Sequence, residues 1–311
     1  MKGFRTQASR LCRMGLSTLS PTVCGVLLFR REKGAWPDLK DPQTLDEKLT
    51  WLKLRVYEKD DAVARCADKY RVRDYVKGVG CGELLNTLIG AWDTPEEIPW
   101  ETLPDRFVLK CSHGCGYNLF CEDRSAWDTA AASAQLRRWQ KEAYWKLFAE
   151  PNYRHSTRRI LCEAYLQNED GSRPEDYKLY CFHGRPHCVM VCLNREQGSP
   201  AFYFFDRQWQ LLRINPDGLR APEGFTLPRP AALEELFRVA EVLSAPFPFV
   251  RVDLYALGSR VVFGELTFTP NAAMDKARLP ETDRMFGALL DLTEPMAQYK
   301  KRKSPDRSGR S

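Results

Sequence analysis

With 311 residues, 43% of them hydrophobic and 28% charged, the chain has an ordinary soluble composition and enough length for about two domains. Its eleven cysteines are an odd number without framework spacing, which argues against a disulfide scaffold and for reduced thiols in the cytoplasm. The net charge of +6 gathers at the ends, in Lys2, Arg5, Arg10 and Arg13 and in the run from Lys300 to Arg310. That distribution predicts a solvated tail with at most a weak contact to an anionic surface, and it gives nucleic-acid binding little support.

Residues 14–29 are interrupted by Ser17, Thr18, Ser20, Pro21 and Thr22, too polar and short a stretch to span a bilayer, and a packed or partly ordered N-terminal arm is expected. The pattern then predicts an amphipathic helix over 44–57 capped near Asp46, and a second helix over 63–76. A loop leads into a strand at 107–111. Residues 125–148 read as a helix that Pro151 stops. Strands are expected at 160–165, 177–182 and 187–193, the last two joined as a hairpin by His183-Gly184-Arg185-Pro186. Residues 201–205 and 209–214 read as another pair, and 231–243 as a helix. FVRVDLY and FGELTFTP read as alternating strands around the turn Leu257-Gly258-Ser259. This mixture lacks regular βαβ alternation, so the fold class is α+β.

Two distant segments carry candidate chemistry. Lys110 ends an apolar run immediately before Ser112, Gly114 and Gly116, an arrangement that aims an ammonium and backbone N–H groups at phosphates. Asp253 and Glu265 interrupt apolar strands, where a carboxylate needs a cation; facing a basic phosphate loop, the two would hold Mg²⁺ against a nucleoside triphosphate. Alternation puts Asp176 with Lys178, Arg251 with Asp253, and Glu265 with Thr267 on shared faces. The competing reading of Lys178 is an exposed ion pair of little energetic weight. The run CFHGRPHCVMVC concentrates Cys181, His183, His187, Cys188 and Cys192, but its spacing matches no zinc knuckle or ribbon, and core thiols are the simpler reading. Cys111, His113 and Cys115 lie in the phosphate loop and are expected to line the nucleotide.

The ordered set of Lys69 in Ala67-Asp68-Lys69-Tyr70, Lys110 before its glycine loop, Glu163-Ala164-Tyr165-Leu166, VRVDLY and FGELTFTP resembles an ATP-grasp enzyme. More narrowly, DPQTLDEKLTWLKL, CADKYRVRDYV and EDYKLYCFHG are similar to the TupA-like ATP-grasp family, over residues 36–293. The resemblance implies two α+β subdomains sandwiching a nucleotide, with an N-terminal helical extension. The corresponding division is an arm at 1–35, an N-terminal region at 36–104, a phosphate-loop subdomain at 105–162, a metal-bearing subdomain at 163–298 and a basic disordered tail at 299–311.

It also implies roles. Lys69, Lys110, Ser112, Gly114 and Gly116 would hold the phosphates of ATP; Glu163, Tyr165 and Leu166 would read adenine, and Asp170 the ribose. Asp253, Glu265, Thr267 and Asn271 would hold Mg²⁺, while Arg251 would stabilise the transferring phosphoryl group or the oxyanion and Lys178 would contact a phosphate or a carboxylate, both as catalytic residues. Thr267 stands where many relatives have Asn, and Asn271-Ala272-Ala273 where a glycine turn is usual. The implied activity is a carboxylate–amine ligase of cell-surface polysaccharide biosynthesis, of teichuronopeptide type, joining a carboxylate-bearing sugar or polysaccharide precursor to an amine through an acyl phosphate. A sugar kinase, a glycosyltransferase of the same pathway and a non-catalytic nucleotide-binding protein stay open as alternatives.

Overall fold

The computed structural model describes residues 2–193 and 200–303. The N-terminal arm is packed and helical, as two helices, α1 (Lys2–Leu19) and α2 (Pro21–Lys33). Ser20 caps α2 by accepting from the Val23 N–H, and Cys24, Leu28 and Phe29 bury against Ala149 and Met274. The next helix, α3 (Leu45–Arg55), is capped by Thr44 and Glu47 in a reciprocal box, two residues ahead of Asp46. Asp46 itself is fully buried between Lys33 and Arg278. The single helix expected over 63–76 is two, α4 (Asp61–Ala67) and α5 (Val72–Gly78). The break has a cause in Asp68, whose buried carboxylate accepts from the backbone of Tyr70 and Arg71 and from both the N–H and the hydroxyl of Thr157. Lys69 therefore leaves the helix.

The first sheet holds β1 (Leu88–Trp92), β2 (Phe107–Cys111), β3 (Asn118–Cys121) and β4 (Ile160–Ala164), all antiparallel, in the order β1-β4-β2-β3. It thus takes one strand from the 36–104 region. Between β3 and β4 runs α6 (Thr129–Lys141), which Asp128 caps and which is shorter than the apolar run suggests. Its Leu136 packs with Phe107, Leu109, Ile160 and Cys162 in a small core of their own.

The second sheet holds β5 (Asp176–Phe182), β6 (Arg185–Leu193), β7 (Ala201–Phe205) and the short β8 (Leu211–Leu212), then, after α7 (Pro216–Arg220) and α8 (Leu233–Ser244), β9 (Phe249–Leu257) and β10 (Arg260–Thr267). Its order is β10-β9-β5-β6-β7-β8, antiparallel throughout. His183 and Gly184, both with positive φ (49° and 74°), make the tight β5–β6 turn. α8 covers one face of β5, β6 and β9 and buries Leu179, Cys181, Val250 and Val252. The alternate residues of those strands face the other way, towards the first sheet.

Two helices close the described chain, α9 (Pro280–Leu289) and α10 (Thr293–Lys303). The segment expected as a disordered tail from 299 begins inside α10, where Tyr299 packs edge-on against Trp51; residues 304–311, with Arg307 and Arg310, lie outside the described residues. A parallel bridge from Leu85 to Phe263 ties the first half of the chain to β10. All eleven cysteines are unbridged. Among the described residues, no helix is long and apolar enough to cross a membrane.

Lys33, Asp46, Arg278 and Asp283 form one buried ionic cluster that joins α2, α3 and α9. Removing one charge from such a cluster leaves its partners uncompensated. Asp46→Asn is expected to cost about 3 kcal/mol or more in urea unfolding, and a loss below about 1 kcal/mol would mean the cluster is as weak as an exposed pair.

Candidate functional site

A cavity of about 1150 Å³ lies between the two sheets. Its charged wall follows from strand register. Lys178 on β5 stands opposite Asp253 on β9, and Asp253 stands opposite Glu265 on β10; the next row is Tyr180, Arg251 and Thr267. A bulge between Phe263 and Glu265 brings Glu265 into this row. Gly264 is required there, since a Cβ would meet the Asp253 carbonyl oxygen at 2.8 Å.

Asp253 is almost wholly buried and carries two cations. Lys178 Nζ donates to Oδ2 at 2.6 Å, while Arg251 Nε and Nη2 donate to Oδ1 and Oδ2 at 2.7 Å each. Lys178 also meets Asp176 at 2.5 Å, so it is a buried member of a network and not an exposed pair. Burial pushes the Asp253 carboxyl up, with Arg251 and Lys178 opposing it. Burial lowers Lys178 and Arg251, but Asp253 and the neighbouring acids together outweigh it and hold both above their usual values.

Glu265 is different. Its side chain is 34% exposed and makes looser contacts, with Arg251 at 3.8 Å and Lys69 at 3.9 Å, and it accepts from the Thr267 hydroxyl at 3.1 Å. Burial raises its pKa, but Lys69, Lys178 and Arg251 together outweigh burial and hold it at about 2.

The opposite wall comes from β2, β4 and the α4–α5 break. Lys110 donates to Glu163 Oε2 at 2.6 Å, and Arg73 donates to the other oxygen at 3.0 Å. Glu163, expected to accept from adenine, is thus held by two cations. Lys69 bonds to the Gly114 carbonyl oxygen. In the glycine loop, Gly116 has φ 77° and lines the cavity, and Gly114 lies where a Cβ would strike the Tyr144 ring at 2.7 Å.

Tyr165 and Leu166 line the cavity just beyond β4. Tyr165 is fixed by Glu122, Arg173 and the Arg106 guanidinium over its ring at 4.3 Å.

Several expected residues are elsewhere. The Ser112 hydroxyl is buried and donates to the Thr157 carbonyl oxygen at 2.5 Å, so it braces the loop from behind. Asp170 is exposed off the cavity wall and caps its own turn through Ser172. Of the three loop residues expected along the nucleotide, Cys115 lines the cavity; Cys111 is in the small core, and His113 is buried with Nε2 at 3.0 Å from the Trp139 carbonyl oxygen. Cys181 and Cys188 are core thiols. Sequence reasoning missed Arg73, Tyr180, Asp275 and Arg278, all on the wall. Arg73 was visible within CADKYRVRDYV, but its direction depends on the helix break.

Among the described residues, no three His, Cys, Asp or Glu side chains converge on one point. Two carboxylates do stand side by side in Asp253 and Glu265, one spent on cations and one ionised and open. That set fits Mg²⁺ taking most of its ligands from substrate phosphates and water, with Glu265 as its principal protein donor. Thr267 is committed to Arg251 and Glu265. Asn271 reaches the cavity through a left-handed run, with φ of 50°, 56° and 61° at Asn271, Ala272 and Ala273.

That run is held from beneath by Lys53, fully buried, which donates to the Ala272 carbonyl oxygen at 2.8 Å. Burial lowers Lys53 to about 8, with Glu150 opposing. Unfolded, it keeps its proton to about 10.5, so between these values the unfolded chain binds more protons and stability rises with pH. Wild-type stability relative to Lys53→Met is therefore expected to rise across that window in urea titrations; a flat difference would place the lysine in solvent.

A family model described as TupA-like ATPgrasp matches residues 47–291. The chain belongs to the TupA-like ATP-grasp family. The two α+β halves around the cavity are its ATP-grasp fold. Among solved structures, D-alanine–D-alanine ligase from Bacillus anthracis, complexed with ATP, is 12% identical with a TM-score of 0.44, over 78% of this chain and 68% of that one. Phosphoribosylamine–glycine ligase from Thermotoga maritima is 14% identical with a TM-score of 0.37, over 71% and 51%. The ATP-grasp ligase PsnB, complexed with minimal precursor, Mg and ADP, is 12% identical with a TM-score of 0.36, over 82% and 66%. No curated protein matches the chain.

Proposed function

We propose that this TupA-like protein is an ATP-dependent carboxylate–amine ligase. The observation that carries the reading is the row Lys178, Asp253 and Glu265, with Arg251 beside it, in one cavity with Lys69 and Lys110. Adenine enters between the sheets beside Tyr165 and Leu166, and the triphosphate extends along the cations. Lys110 exchanges its Glu163 contact for a phosphate oxygen, while Arg73 keeps Glu163 paired. Gly116 lets the loop backbone approach, and closure of that loop keeps water from the reacting phosphate.

Phosphoryl transfer spreads negative charge over several oxygens, so the protein's part is positioning and neutralisation. Lys178 and Arg251, aimed by Asp253, meet the γ-phosphoryl end. Glu265 would hold magnesium, which would supply charge screening for the triphosphate. The acceptor carboxylate attacks the γ-phosphorus and ADP leaves; an amine then attacks the acyl carbon, the carbon–oxygen bond to phosphate breaks, and amide and phosphate form as the amine gives up its proton. The resemblance to TupA-like proteins supports a surface-polysaccharide carboxylate, such as a uronic acid, as acceptor.

Lys110→Ala removes a charge-assisted contact of about 1.5–3 kcal/mol and is expected to weaken ATP binding roughly ten- to a hundredfold by calorimetry. Unchanged affinity would remove Lys110 from the phosphate site. Glu265→Gln keeps shape and loses charge, so turnover should fall far more than stability. The chemistry itself is read from a uronic acid carrying heavy oxygen in its carboxylate, supplied with Mg-ATP and amino acids. Label is expected in released phosphate alongside an amide; a stable labelled phosphate ester without amide would make the protein a kinase.

A further inference from the structure

Half of the large hydrophobic side chains exposed on the described protein, Leu11, Leu19, Val23, Leu27 and Trp36, fall in a short stretch ahead of residue 47, where the family match begins. They are organised by helix geometry. Leu11 and Leu19 stand on the solvent side of α1 with exposed Gly15 between them, and Val23 and Leu27 lie one turn apart on α2. The opposite sides are committed to the body of the protein: Ser17 donates to the Lys146 carbonyl oxygen at 2.8 Å, and Cys24, Leu28 and Phe29 are buried. The outward faces are therefore fixed in direction, and nothing of the described chain covers them.

Charge distinguishes this surface from the rest. Residues 2–33 hold seven basic residues and a single acid, Glu32, and of the seven only Lys33 is spent on the buried cluster with Asp46 and Asp283. Glu32 itself is taken up by Arg31 and Lys276, and Arg10 by Glu142 at 2.7 Å. Arg30 is exposed over the Trp36 ring, 5.9 Å from its centroid, and so borders the apolar row directly. An aliphatic and aromatic row rimmed by arginines suits an interface with hydrocarbon beneath and anionic headgroups around it. Neither helix is apolar enough to span such a layer, so it would lie on the surface. The apolar residues are spread along two helices, as contact with a fluid surface permits.

We propose that α1, α2 and Trp36 seat the protein on an anionic lipid surface. The proposal is independent of the ligase reading, because none of these residues touches the cavity.

The test is co-sedimentation of the full chain with vesicles of phosphatidylcholine alone or mixed equally with phosphatidylglycerol, at low and high salt. Binding is expected on the mixed vesicles, much weaker on the neutral ones, and reduced by salt. The double variant Val23→Ser with Leu27→Ser should bind about tenfold more weakly, and Arg30→Gln with Arg31→Gln should bind more weakly with a shallower salt dependence. These side chains are exposed, so thermal midpoint and ATP affinity should match wild type and separate lost docking from lost folding. No binding to mixed vesicles, or equal binding by the serine variant, would overturn the proposal. So would a wild-type dimer in sedimentation velocity that the serine variant dissociates, which would assign the face to a second copy.

Discussion

A buried carboxylate at Asp253 sets the terms for the rest of the structure. In the centre of a packed sheet an isolated charge costs several kcal/mol, and the cost is recovered only with close, well-aligned cations. β5 and β9 provide them by register, since pairing Lys178 with Asp253 also places Tyr180 beside Arg251. A slip of β5 by one residue would turn Lys178 and Tyr180 into the core under α8 and leave Asp253 without its lysine. The charge network therefore fixes the strand pairing as well as the site.

The same arrangement divides the labour between two neighbouring acids. Asp253 is saturated and rigid, so it aims Lys178 and Arg251; Glu265 is ionised and only loosely held, so it keeps donor capacity for a ligand. The bulge at Gly264 makes this division possible by bringing Glu265 level with Asp253. Across the cavity Glu163 does for Lys110 and Arg73 what Asp253 does for its own pair. In both walls a carboxylate holds two cations in place, so their positions are set by the protein itself.

The α+β class, the β5–β6 hairpin, the strand that carries Lys110 to its glycine loop and the shared faces of Arg251 with Asp253 and Glu265 with Thr267 were legible because each follows from local period or turn chemistry. What depended on distant partners was not. Nothing near Asp68 announces that Thr157, far along the chain, will complete its hydrogen bonds and break the helix that holds Lys69. The burial of Asp46 in the first turn of α3 is not legible locally, because its partners, Lys33 and Arg278, come from other elements. Ser112 has the right neighbours for a phosphate contact, yet its direction is decided by Thr157 and Arg159. Asn271-Ala272-Ala273 lacks glycine but still turns left-handed, with a buried lysine from α3 holding its carbonyl.

The central claim is that one cavity holds the triphosphate between the basic wall at Lys69 and Lys110 and the row at Lys178, Asp253 and Glu265. A crystal structure with Mg²⁺ and a non-hydrolysable ATP analogue tests it most directly. The account predicts adenine beside Tyr165 and Leu166, phosphate oxygens on Lys69 and Lys110, and Glu265 on the metal with Asp253 still bound to Arg251. A nucleotide bound outside the inter-sheet cavity, or a triphosphate pointing away from Glu265, would contradict it.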